Sequence, residues 1–224
     1  MGSGWLQNPH NIMEGYGLAL YEMPRTLLLN YSYDLPFGHG RRFLSAGNGW
    51  SQRFIDAFIG GWGFAGVSTW HPKGTPVLMP TVSGGVTAPG AALRWSHAPG
   101  TNYVTDKDYG RGLIVNGAFA SANPQGIFNS SAFVRTSDYG LSNAAFVFPN
   151  VRNPGNFYTD ATMLKKFYFF HSEARYAEFR LEALNIFNHP NYGTIDNNPD
   201  SPTFGGVNGK SGSRTMQLGL RIFF

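Results

Sequence analysis

Apolar and polar residues alternate with a period of two at both ends of this chain. Between Arg25 and Leu35, the residues Leu27, Leu29, Tyr31, Tyr33 and Leu35 share one face. Thr26, Asn30, Ser32 and Asp34 share the other, and Leu28 is the exception. Between Thr215 and Phe224, Met216, Leu218, Leu220, Ile222 and Phe224 alternate with Thr215, Gln217, Gly219, Arg221 and Phe223. Successive side chains of a strand point to opposite faces, so both stretches are predicted to be β-strands. Three further segments have strand character. Phe54–Trp70 carries Gly60, Gly61, Gly63 and Gly66, and each interior glycine costs a helix about 1 kcal/mol. Trp62, Phe64 and Trp70 share a face there. Phe157–Phe167 sets Asp160, Thr162 and Leu164 opposite Ala161 and Met163. Glu173–Asn188 fits two periods. As a strand it has Glu178, Arg180 and Glu182 on one face and Phe179, Leu181 and Ala183 on the other. As a helix it has a stripe of Tyr176, Phe179, Ala183 and Phe187, and periodicity alone slightly favours the helix.

The connections are unequal. Pro36–Arg53 is moderate in length and carries the turn-like Pro36-Phe37-Gly38-His39-Gly40, and the connection before the fourth segment is only a few residues. His71–Asn156 is very long, and His189–Arg214 is rich in Asn, Pro and Gly. If the strands are antiparallel neighbours, both long connections leave one end of the sheet. Transmembrane barrels have that asymmetry, with short turns on one side and long loops on the other. So long a connection is uncommon in a compact soluble domain, and local β structure is expected within it near Leu113–Phe119. Five strands, or six with one in Trp5–Leu20, fall short of the roughly eight in the smallest single-chain barrel.

Composition points the same way. Of 224 residues, 13% are charged and 16% aromatic, against about 25% charged in ordinary soluble domains. Disordered chains are charge-rich and aromatic-poor, so disorder is excluded. The absence of cysteine excludes a disulfide framework and a thiolate-ligated metal site. The longest weakly polar run, Ala57–Trp70, is too short and glycine-rich for the about 20 apolar residues of a spanning helix. Lipid-facing β structure accounts for the missing charges. The net charge is +4, and no Lys/Arg cluster interleaves with aromatics, so nucleic acid is not an expected partner. The pairs Arg41–Arg42 and Lys165–Lys166 read as solvated turn residues. Met1-Gly2-Ser3-Gly4-Trp5 has neither the basic nor the apolar part of a secretory signal. The expectation is a protein retained inside the cell, or a sequence that begins within a longer one.

Catalytic signals are weak. Gly209-Lys210-Ser211 resembles the end of a phosphate-binding loop, but Phe204 stands where that loop needs a glycine, and a strand follows. His10, His39, His71, His97, His171 and His189 are widely separated and lack metal-ligand spacing. Gly2-Ser3-Gly4 lacks the strand–turn–helix setting of a nucleophile elbow. Glu178, Arg180 and Glu182 could form an acid–base group, but a salt-bridge ladder facing a polar lumen is the favoured reading. No enzyme activity, metal or cofactor is expected. A final amphipathic strand ending in Phe224 suits an assembly signal, in which edge hydrogen bonds and alternate side chains are read together.

A collinear series of stretches carries a family resemblance. It runs from Asn30-Tyr31-Ser32-Tyr33-Asp34-Leu35-Pro36-Phe37-Gly38 and Gly40-Arg41-Arg42-Phe43-Leu44 through Gly60-Gly61-Trp62 with Gly66. Asn129 to Phe133 and Arg152-Asn153-Pro154-Gly155 follow. Then come Asp160-Ala161-Thr162-Met163 with Lys165 and Phe167, Phe179-Arg180-Leu181-Glu182, and Asn185-Ile186-Phe187-Asn188-His189-Pro190-Asn191-Tyr192-Gly193. Phe204-Gly205-Gly206, Arg214 and Gln217 to Phe224 complete it. The series resembles the C-terminal part of TonB-dependent outer-membrane receptors of the Oar-like type, which carry a carboxypeptidase-regulatory-like domain at their N-terminus. The resemblance implies an all-β fold: antiparallel strands of a transmembrane outer-membrane β-barrel with long extracellular loops, in a Gram-negative cell. Residues 1–224 would supply the last of about 22 strands, and the segment up to Asn188 would be a strand. It also implies TonB-driven import of a ligand. Signal peptide, plug, TonB-contacting segment and most of the barrel have no counterpart here. The expectation is a truncated frame or C-terminal fragment, inactive alone and reached by TonB only through the missing regions.

On that reading Leu27, Leu29, Tyr31, Phe179, Leu181, Met216, Leu218, Leu220 and Ile222 face lipid. Asn30, Asp34, Asp160, Glu178, Arg180, Glu182, Gln217 and Arg221 face the lumen. The expected partners are outer-membrane lipid, the barrel-assembly machinery through the C-terminal strand, and an extracellular ligand. Metal chelates, sugars and peptides are all candidate ligands. Ligand contact is assigned to the two long connections, whose aromatics and glycines suit a binding surface. Two alternatives stand beside this one. One is a soluble β-sandwich that binds carbohydrate through exposed Trp and Tyr; the other is a small pore assembled from several copies.

Overall fold

A computed structural model of the protein describes residues 7–8, 10–38, 41–44, 49–50, 54, 57–86, 92–105, 108–109, 111–121, 126–169 and 175–224. Met1-Gly2-Ser3-Gly4-Trp5, His39, Gly40, Arg53, His171 and Glu173, all named above, lie outside them. The chain divides into two compact units.

The first unit comprises Thr26–Trp70, Phe157–Pro190 and Gly212–Phe224. Its framework is a five-stranded sheet of β1 (Leu27–Asp34), β2 (Trp62–His71), β3 (Asn156–Tyr168), β4 (Tyr176–Leu184) and β5 (Thr215–Phe223), adjacent in that order. Each strand neighbours the next in sequence, which makes a meander. Strand lengths of 8 to 13 residues bracket the about 9–11 that cross a bilayer when tilted. Among the described residues β1 and β5 each keep one unpaired edge, so the sheet is open.

Register sets the two faces, because residues directly opposite in an antiparallel pair share a side. Leu27 lies opposite Trp70, Tyr31 opposite Gly66 and Tyr33 opposite Phe64. Leu181 lies opposite both Met163 and Leu218, and Phe179 opposite Leu220. The Thr159 and Ser68 hydroxyls, 3.1 Å apart, join these apolar rows across β2 and β3. Glu178 lies opposite Lys166 and Arg221, and Glu182 opposite Thr162 and Gln217, on the polar face. A soluble sandwich would bury its apolar face against a second sheet. Here Leu218 and Leu220 are each 66% exposed.

Two segments differ from the periodicity reading. β2 begins at Trp62 rather than Phe54, and residues 50, 54, 57 and 58 have helical backbone. Trp50, Phe54 and Phe58 recur at four-residue spacing, which suits a helix face, and Gly60 and Gly61 follow them. Gly61, at φ 68°, adopts the left-handed conformation that stops helices. The fourth segment is a strand, as the resemblance implied, because β3 and β5 supply ladder partners on both its edges. It ends at Leu184, since Asn185 (φ 48°) turns left-handed.

The second unit comprises Met1–Arg25, His71–Asn156 and Asn191–Ser211. It gathers the two long connections around one core that includes Val77, Leu93, Ile127, Phe148, Ile195 and Val207. Short pairings frame it: Pro76–Leu78 with Val147–Arg152, Ser96–His97 with Phe133–Val134, and Asn191–Tyr192 with Lys210–Ser211. Local β structure does occur between Leu113 and Phe119. Leu113–Val115 and Ala118–Phe119 form a hairpin. Its two turn residues, Asn116 (φ 52°) and Gly117 (φ 78°), supply the positive φ values that such a turn demands.

Candidate functional site

On the polar face, β4 brings Glu178, Arg180 and Glu182 together at alternate positions. Arg180 Nη1 lies 3.0 Å from Glu182 Oε1, and Nη2 lies 3.6 Å from Glu178 Oε1. Glu178 is buried, with Lys166 and Arg221 opposite it on the flanking strands. Gly219 faces Arg180 across the β4–β5 pair and leaves a gap. The result is an open cleft of about 150 Å³ lined by Arg180, Glu182, Gln217, Gly219 and Arg221. The arrangement is a charge ladder bordering a polar groove.

The other polar-face residues have separate roles. Asp34 pairs with Arg41 at 3.4 Å, both exposed. Asn30 lies opposite Val67 on β2. Asp160 Oδ1 accepts the Asn185 N–H at 2.8 Å, so one of its oxygens holds the end of β4. Asn185 itself is almost fully buried. Its Nδ2 donates to the His189 carbonyl (2.9 Å) and to the Gly212 carbonyl, while Oδ1 accepts the His189 N–H at 3.1 Å. Asn188 Oδ1 accepts the Arg214 N–H at 3.0 Å. This turn ties the end of β4 to the approach of β5, and a sequence reading without contacts does not register it. Asn185→Ala removes the side-chain bonds and places a Cβ without polar atoms in left-handed backbone, whereas Asn185→Gly removes the bonds alone. Each lost buried bond costs about 1–3 kcal/mol, and the alanine variant is expected to cost about 1–2 kcal/mol more than the glycine variant. Urea titration of the membrane-inserted protein measures both. Equal costs would show that the backbone conformation contributes nothing.

The residues assigned to lipid from sequence all lie on the apolar face: Leu27, Leu29 and Tyr31 on β1, Phe179 and Leu181 on β4, and Met216, Leu218, Leu220 and Ile222 on β5. Gly66 sits beneath Tyr31, and a Cβ there would collide with the Tyr31 hydroxyl and the Asp160 carbonyl. Aromatic residues cluster at both ends of the face. Tyr33, Trp62, Phe64 and Phe167 stand near the short turns, and Trp70, Phe157 and Phe187 near the other end. Phe224 follows β5 and is fully exposed. The pair Lys165–Lys166, expected as solvated turn residues, lies inside β3, with Lys166 on the polar face opposite Glu178 and Lys165 on the other. Lys165 is the enclosed one. It lies within β3 on the apolar face, opposite Phe179, and is 2% exposed. Its Nζ donates to the Gly60 carbonyl and stands 5.6 Å from the Trp62 ring and 4.9 Å from the Phe167 ring.

In the second unit, the aromatics expected on a binding surface are largely inside. Phe128 stacks on Phe148 and Phe204 with ring centroids 4.9 and 5.2 Å away, and Phe133 meets Phe204 edge-on at 5.0 Å. Burial pushes the Tyr103 and Tyr109 hydroxyls above their ordinary pKa. Burial also pushes the Arg94 guanidinium down, against the opposing charge of Glu14. Lys210–Ser211 is strand, and Gly209 (φ 66°) belongs to its turn rather than to a phosphate cradle. Among the described residues no three metal-ligating side chains gather, and no helix is long and apolar enough to cross a membrane.

A meander of membrane-spanning length, apolar and exposed on one face with aromatic ends, charged and hydrogen-bonded on the other, defines a transmembrane β-barrel sheet. The model of the family described as Outer membrane beta barrel domain matches residues 1–217, and the chain belongs to that family. Its location is the outer membrane. Comparison with curated proteins and with solved structures returned no match.

Proposed function

We propose that the sheet is a section of the wall of a transport barrel of the TonB-dependent, Oar-like type, which imports a ligand across the outer membrane. The observation that carries this reading is the division of one open meander into an exposed apolar face and a face bearing the Arg180 ladder. The apolar face meets lipid and the ladder borders the lumen. Unpaired strand edges are not tolerated in hydrocarbon, so β1 and β5 pair with further strands that complete the wall. The collinear family stretches support the TonB-dependent type. Ligand capture falls to the exposed surface of the second unit, whose interior aromatics serve as its core.

The test compares uptake of metal chelates, sugars and peptides in cells with and without the complete gene, each with TonB present or inactivated. The expected result is uptake of one class that needs both. Gene-dependent uptake that persists without TonB would overturn the TonB-dependent type. Conductance by this chain alone in a planar bilayer would instead make it a self-assembling pore.

A further inference from the structure

Among the described residues, the apolar face carries one buried charge, Lys165, and a carbonyl it donates to lies on a segment that is not part of the sheet. Lys165 Nζ donates to the Gly60 carbonyl, and Trp62 Nε1 donates to the Phe58 carbonyl at 2.8 Å. Lys165 lies on the apolar side of the sheet, opposite Phe179. The Trp62 ring lies within 5.6 Å of the Lys165 ammonium. The stretch ending at Gly61 is therefore fastened to the margin of the apolar face, at the short-turn end. Its large described apolar side chains are exposed. Trp50 is 77%, Phe54 59%, Phe58 69% and Ile59 44% exposed. The backbone is helical at residues 50, 54, 57 and 58. The rings of Phe54 and Phe58 stack with centroids 6.1 Å apart and planes 13° from parallel, as neighbours one helical turn apart do.

We propose that this stretch is a membrane-interface anchor. Trp50, Phe54, Phe58 and Ile59 lie in the boundary between headgroups and acyl chains of the leaflet next to the short turns, and Lys165 pins the anchor to β3. Three physical points support lipid as the occupant. Large aromatic side chains at four-residue spacing, on positions with helical backbone at 50, 54 and 58, match the composition of interfacial helices. The patch continues the apolar face, whose margin here already carries Tyr33, Phe64 and Phe167. A bare lysine on a lipid-facing strand is unfavourable. Here its ammonium meets the Gly60 carbonyl just past the helical residues, where a cation is favoured, and two rings cover it.

The inference rests on the apolar face being lipid-facing, and its test separates the two. The chain has no cysteine, so single replacements Trp50→Cys, Phe58→Cys and Leu218→Cys each carry one environment-sensitive fluorophore. All three sites are exposed, so the labels do not disturb packing. The complete gene product is placed in phosphatidylethanolamine–phosphatidylglycerol vesicles containing lipid brominated either near the carbonyl or near the methyl end of the acyl chain. Labels at 50 and 58 are expected to be quenched at least about twofold more by the shallow bromines than by the deep ones, and the label at 218 the reverse. Iodide quenching at 50 and 58 with deep quenching at 218 would overturn the anchor and leave the lipid-facing sheet intact. Absence of bromine quenching at all three would overturn both. Labels at 50 and 58 shielded from iodide and bromine alike would mean a protein partner or second copy covers the patch, which also overturns the anchor. Adding Lys165→Met to Phe58→Cys is expected to cut the shallow quenching at 58 about twofold without changing that at 218. Unchanged quenching would remove Lys165 from the anchor.

Discussion

Phe148→Ala is expected to destabilise the second unit by about 3–5 kcal/mol. The side chain is fully buried and meets Phe128 at 4.9 Å, Tyr103 at 5.0 Å and Phe133 at 5.8 Å between ring centroids. Its removal leaves a cavity bounded by rigid rings, and rings collapse poorly into vacated space. Tyr139, 76% exposed, is the control, with Tyr139→Ala expected within about 0.5 kcal/mol of the parent. Hydrogen exchange of the membrane-inserted protein reads the difference. The amides of Val147–Arg152 and of its partner Pro76–Leu78, prolines apart, should exchange about two to four orders of magnitude faster in Phe148→Ala. Those of β4 and β5 should stay protected, because they belong to the other unit. Equal exchange in the two variants would return His71–Asn156 to the status of a loose loop.

That core is the part of the fold least visible along the chain. Val77, Phe148, Ile195 and Val207 are joined in space but not by any local period. The Asn116-Gly117 turn does leave a short-range signature, and it marks one hairpin. The sheet is the opposite case. β1 and β5 are half-solvated strands of period two, so their boundaries and faces are written in the alternation of Leu27 to Asp34 and Met216 to Ile222. β4 is intermediate. Tyr176, Phe179 and Ala183 satisfy a helical stripe as well as a strand face, and only the ladder partners on β3 and β5 decide between them. Of the glycines that argue against a helix, Gly60 and Gly61 stand at the helical end, and Gly63 and Gly66 lie within β2. Lys165 shares the parity of Ala161 and Met163, so its place on the apolar face follows from alternation once β3 is extended through it. What alternation cannot supply is the Gly60 carbonyl that makes the charge tolerable. The linkage of Asn185 to Asp160 and Gly212 likewise depends on contacts across strands, to which a single-chain pattern is blind.

Leu218→Arg should destabilise the membrane-inserted barrel by about 2–4 kcal/mol, and Gln217→Arg by much less. The two positions are adjacent on β5, so strand propensity and backbone context nearly cancel in the comparison. What differs is the face. Leu218 lies opposite Leu181 in mid-strand, whereas Gln217 lies opposite Glu182 beside the Arg180 ladder, where a new cation gains a carboxylate neighbour. Depth adds a second, independent axis. Met216, near the start of β5, should tolerate arginine at about 0–1 kcal/mol, because the side chain reaches the interface there. Leu218 is 66% exposed in the chain by itself, so in water the substitution removes little packing and should be nearly neutral. The cost therefore comes from the bilayer and not from any contact within the protein. Urea titrations of the three variants in vesicles give the ranking Leu218, then Met216, with Gln217 separated from Leu218 by face alone. Equal costs at 217 and 218 would overturn the assignment of faces. A similar loss at 218 in detergent-free solution would mean that protein, not lipid, covers the apolar side.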